Sequence, residues 1–64
     1  MDDIVQILSE YPEWLQSSEM AYTLGVTDQT VKRWVKAGKV QQRKNGRQVE
    51  VNVADVIRYR FPRP

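Results

Sequence analysis

The sequence contains no cysteine and no histidine. That excludes disulfide frameworks, zinc sites built on those two ligands, and histidine-based acid–base chemistry. No apolar run approaches membrane-spanning length, and the opening Met1-Asp2-Asp3 lacks the basic start of a secretory signal, so the expectation is a cytoplasmic protein with no membrane partner. Internal repeats and low-complexity stretches are also missing. The carboxylates are dispersed, and Ser9, Ser17 and Ser18 have no base near them in sequence; they read as capping or loop residues. With 64 residues there is room for one small core and little for a catalytic pocket, so the chain reads as a non-enzyme without metal or cofactor.

What the sequence does have is charge, unevenly spread. Asp2, Asp3, Glu10, Glu13 and Glu19 lie within residues 1–24, which hold no Lys or Arg. All ten cations follow, set against Asp28, Glu50 and Asp55 alone. From Lys32 to Arg47 there are seven cations and no acid: Lys32, Arg33, Lys36, Lys39, Arg43, Lys44 and Arg47. Such a block repels itself unless an anion comes to it, and nucleic acid is the obvious anion. The bland alternative is a solvated basic face.

Two short amphipathic helices can be read between Ser17 and Gly38. Met20, Ala21 and Leu24 recur at three- and four-residue spacing, with Ser17 or Ser18 as the N-cap and Gly25 as the stop. Thr27 caps a second helix, Asp28 suits its positive end, and Gly38 ends it. Val31, Trp34 and Val35 then face inward. Gln29, Thr30, Lys32, Arg33 and Lys36 face outward, a set of cations, amide and hydroxyl suited to phosphates and base edges.

Upstream, Ile4, Val5, Ile7 and Leu8 form the stripe of a short N-terminal helix, with Asp2 and Asp3 at its positive end and Tyr11-Pro12 breaking it. Trp14 and Leu15 add an apolar patch, so residues 1–16 read as a helix and cover for the core. Alternatively, Glu10 and Glu13 with an exposed Tyr11 or Trp14 form a protein-contact surface. Downstream the period changes to two. Val40–Lys44 and Arg47–Val51 flank Asn45-Gly46, the signal for a tight hairpin with positive backbone angles, its tip carrying Arg43, Lys44 and Arg47. Asn52 caps a last helix with Val53, Val56 and Ile57 buried and Arg58 and Arg60 near its end; Phe61-Pro62-Arg63-Pro64 terminates it in an extended tail.

Ala21, Gly25, Val26, Val31 and Trp34 resemble the anchor positions of the helix-turn-helix motif. RWVKAGKVQQRKNGRQVEVNVADV, which follows, resembles the second helix, wing and next helix of MerR-like winged helix-turn-helix domains, a group that includes phage and transposon excisionases. The likeness spans about Ser17 to Tyr59. It implies a single domain over 1–64, mainly α with a small β-hairpin: a short extra N-terminal helix and cover at 1–16, helix-turn-helix at 17–38, wing at 39–51 and C-terminal helix at 52–61. It also implies a bacterial or phage-encoded protein with double-stranded DNA and an integrase as partners, cooperative self-association on DNA, and an interface built from Thr27, Gln29, Thr30, Lys32, Arg33, Lys36, Lys39, Arg43, Lys44, Asn45 and Arg47. A domain of this kind without a long dimerising helix or effector domain is expected to be architectural, a DNA-bending excisionase. A small transcriptional regulator is the other role the family offers, and a protein-interaction adaptor is the reading from a different class.

Overall fold

The N-terminal apolar stripe, the two glycine-stopped helices and the Val-rich hairpin all converge on one core. The computed structural model describes residues 3–62. In chain order the elements are α1 (Asp3–Ser9), β1 (Trp14–Gln16), α2 (Ser17–Leu24), α3 (Asp28–Lys36), β2 (Gln42–Asn45), β3 (Gln48–Asn52) and α4 (Val53–Arg60). The expectations for Asp2, for the side chain of Asp3 and for the tail at Arg63-Pro64 lie outside what is described. Leu8, Met20, Val31, Val51 and Val56 are the largest fully buried side chains, so five of the seven elements contribute directly to one apolar cluster. Leu8, with Ile4 packed against the cluster beside it, ties α1 to the core; burial of a side chain such as Leu8 is worth about 1.5–3 kcal/mol.

The fold departs from a mainly helical chain with a lone hairpin: among the described residues, four helices accompany a three-stranded antiparallel sheet of order β1-β3-β2. Trp14–Gln16, read from sequence as part of a cover, is a strand, with Leu15 opposite Val51 and Gln16 opposite Glu50. Without it β3 would leave a row of backbone groups unpaired on that side. The same pairing explains why neither Ser17 nor Ser18 caps α2. Gln16 holds the N-cap position without a side-chain hydrogen bond, because its backbone is still in the ladder when the helix begins at Ser17.

α2 and α3 end as the glycines require. Gly25 adopts φ 71°, and the N–H groups of Gly25 and Val26 donate to Tyr22 and Ala21 carbonyls at 3.2 and 2.9 Å. After α3, Gly38 adopts φ 78°, and its N–H and that of Lys39 donate to Val35 and Trp34 at 3.0 Å each. Both are six-residue closures in which a left-handed glycine satisfies carbonyls the helix leaves open. Thr27 caps α3 as expected, its Oγ1 accepting from Thr30 N at 3.1 Å.

The wing strand starts at Gln42 rather than Val40, which is instead buried in the core. Gln41 is fixed at the strand's threshold: its N–H donates to Asp55 Oδ2 and its carbonyl accepts from Asn52 N–H, both at 3.0 Å. The turn is also shifted. Asn45 pairs with Gln48, so Gly46 and Arg47 are the two turn residues, and only Gly46 has positive φ (66°). A positive angle at the first turn residue alone is the pattern of a II′ turn, which needs glycine there, rather than the I′ turn that Asn-Gly suggests. Asn52 caps α4 through Asp55 N–H at 2.9 Å.

Candidate nucleic-acid interface

α3 buries Val31 and Trp34, half-buries Val35, and thereby turns Gln29, Lys32, Arg33 and Lys36 outward. These four line one open cleft along the helix. Arg33 and Lys36 form no ion pair among the described residues, and Lys32 reaches Asp28 Oδ2 at 3.5 Å with its side chain well exposed. An exposed pair of this kind contributes little and leaves the ammonium free to meet another anion. Thr27 and Thr30 are less free than their types suggest. Their hydroxyls lie 2.9 Å apart, and Thr27 Oγ1 also caps the helix, so both are engaged within α3.

A second cleft shares Lys32 but opens toward the hairpin, lined also by Gln16, Ser17, Ser18, Asp28, Gln48 and Val49. Asp28 Oδ1 is buried there without a hydrogen-bond partner among the described residues. A carboxylate in its wall makes this cleft a poor seat for a phosphate. The cleft of Gln29, Arg33 and Lys36 has no acid in its lining and suits one better.

The hairpin cations do not act as one cluster. Arg43 stands directly across the ladder from Glu50; its Nε donates to Glu50 Oε1 at 2.8 Å and its guanidinium lies 4.8 Å from the Trp14 ring centre. Asn45 Nδ2 reaches the other Glu50 oxygen at 3.5 Å. Lys44 points to the opposite sheet face, that of Val49, and Arg47 sits in the turn. Within the Lys32–Arg47 block, Asp28 and Glu50 thus engage two cations, Lys32 and Arg43, from within the fold, and the other five have no intramolecular ion pair among the described residues. The Arg43 hydrogen bond above all holds the Glu50 carboxyl below its ordinary value against the opposing effect of burial, with the Asn45 hydrogen bond and the Arg43 charge adding to the lowering. Lys39, Lys44 and Arg47 are exposed and form no ion pair among the described residues.

Sequence reasoning found the α3 face because helical period alone decides which residues point out. It missed Trp14 and Glu50, which enter only through strand register. Asp55 was passed over as an ordinary acid. It is buried, accepts from Gln41 N–H and pairs with Arg58, so it holds the start of the hairpin against α4. Arg58 and Arg60 are structural in this arrangement, the second lying 5.2 Å from the Trp34 ring, which also meets Tyr59 edge-on at 6.0 Å. No group of three or more metal-binding side chains and no helix long and apolar enough to cross a membrane occurs among the described residues. Comparison with family models, curated proteins and solved structures gave no match to this chain.

Proposed function

We propose that this protein is a winged helix-turn-helix domain that binds double-stranded DNA and acts as an excisionase, bending attachment-site DNA and directing an integrase toward excision. The observation that carries the DNA-binding reading is the row of Gln29, Lys32, Arg33 and Lys36 along one acid-free cleft of α3, followed in the chain by a hairpin exposing Lys44 and Arg47. In this reading α2 and α3 are the helix-turn-helix and β2–β3 is the wing. α3 enters the major groove, where Gln29 and Arg33, one turn apart, reach base edges; Arg33 can give two hydrogen bonds to a guanine. Lys36, Lys39, Lys44 and Arg47 take phosphates, the hairpin lying along the neighbouring minor groove. Arg43 and Thr27 serve the interface by holding the wing and the helix start in place. The excisionase role itself rests on the resemblance of residues 17–59 to MerR-like domains.

The test begins with duplexes selected from a random pool. Arg33→Ala should weaken binding to the selected site by about 1–3 kcal/mol and affect random duplex much less. Circular-permutation gel shifts should show bending that grows with the number of bound copies, and reconstituted excision should fail without the protein while integration proceeds. Tight binding as a single unbent complex would leave a transcriptional regulator standing. Absence of DNA binding at low salt would leave an adaptor that works through the acidic N-terminal segment.

A further inference from the structure

α1 and α4 run antiparallel and leave an apolar groove between them, on a face to which none of the eleven candidate DNA-binding residues contributes. One half, of about 490 Å³, is lined by Val5, Phe61 and Pro62 together with Arg58, toward the C-terminal end of α4. The other is lined by Tyr11, Pro12 and Ala54 together with Glu13, toward the N-terminal end of α4. Ser9 and Ile57 line both halves and so mark the middle. The Ser9 hydroxyl donates to Val5 O at 2.8 Å, which leaves no unmet donor at that centre.

We propose that this groove binds a second copy of the chain about a two-fold axis passing near Ser9 and Ile57. The charges argue for that occupant. A groove with a carboxylate at one end and a guanidinium at the other is complementary to itself after a half-turn: Glu13 of each copy meets Arg58 of the other, while the apolar middles meet each other. Arg58 already pairs with Asp55, yet its side chain is 72% exposed and a guanidinium has five N–H donors, so it has capacity for a second acid. Association is also a common remedy for so small a core. The inference goes beyond DNA binding and is tested without DNA, so either can fail while the other stands.

Sedimentation velocity at rising protein concentration, from about micromolar to about millimolar, should show a species of twice the monomer mass. Ala54→Arg, at an exposed position in the groove, should raise the dimer dissociation constant at least about tenfold. Glu13→Arg and Arg58→Glu should each do the same alone, because each homodimer then places like charges together at both ends. An equimolar mixture of those two variants should associate nearly as well as the native chain, since the heterodimer regains both opposite-charge pairs. If Arg58→Glu unfolds by circular dichroism, having lost its bond to Asp55, Ala54→Arg decides alone. A monomer at every concentration, or a dimer indifferent to Ala54→Arg, overturns the proposal and gives the groove to a different occupant.

Discussion

Gly46 shows how a single residue fixes the hairpin. A Cβ built on it meets no atom within 4 Å, so a substitution there is opposed by backbone conformation and not by crowding. Gly46→Val, with a β-branched side chain at φ 66°, should cost about 1–3 kcal/mol in urea denaturation, whereas Arg47→Ala beside it should leave stability unchanged. The reverse order would mean the turn lies elsewhere. Asp55 is a buried polar site on whose carboxylate two neighbours rely, Gln41 N–H and Arg58. Asp55→Ala orphans the Gln41 N–H and should destabilise by about 1–3 kcal/mol. Glu50 gives a pH signature. Its folded-state value is lowered, so the stability it contributes is complete above the ordinary carboxylate value and disappears as pH falls through the lowered one. Urea midpoints of native protein should drop between neutral pH and about pH 3 more steeply than those of Glu50→Gln, which has no proton to gain there. Identical acid limbs would remove the Arg43–Glu50 bond from the solution structure.

At the scale of elements, α1 and β1 ask whether the N-terminal segment belongs to the domain or merely lies on it. Leu8 is fully buried, and Leu8→Ala should cost about 2–5 kcal/mol, a large share of what a chain this short can hold. A change below about 0.5 kcal/mol would show that α1 is peripheral. How much of this was legible in the sequence follows from the same physics. α2, α3 and α4 could be read because helical stripes, the glycines and the Thr27 and Asn52 caps are all local signals. β1 could not: three residues carry no period, and Trp14–Gln16 is a strand only because β3, more than thirty residues on, presents an edge for it. The misassigned caps at Ser17 and Ser18 follow from missing that strand. In the candidate site the exposed row on α3 was legible for the same local reason. The fate of Arg43 was not, since both Glu50 and Trp14 reach it through sheet register.

For the whole molecule the organising feature is charge separated along the chain, with the acids of residues 1–24 apart from the cations that follow. Exposed like charges weaken a fold by self-repulsion, and here two internal acids relieve part of it by engaging Lys32 and Arg43. That division ranks the cations by what they can offer a polyanion. Arg33, Lys36, Lys39, Lys44 and Arg47 have no intramolecular partner among the described residues to give up. Arg43 must release or share Glu50 before it can neutralise a phosphate, whereas the long, exposed contact with Asp28 holds Lys32 only weakly. If DNA is the ligand, neutralising any phosphate-contacting member of the free group should lower the slope of log K against log salt by roughly 0.9 per contact on every duplex alike. Arg43→Gln should lower it by clearly less, because the charge it removes was already partly matched, while Glu50→Gln should steepen it by freeing Arg43. Acids of the N-terminal segment should behave in the opposite sense to the cations, Glu10→Gln leaving affinity equal or slightly higher. Salt titrations of anisotropy across these variants read all the slopes on one scale. If Arg43→Gln lowers the slope as much as Lys36→Gln or Lys44→Gln, the Glu50 pair dissolves on binding and Arg43 belongs with the phosphate contacts after all; if no variant changes it, the basic face is not where a nucleic acid sits.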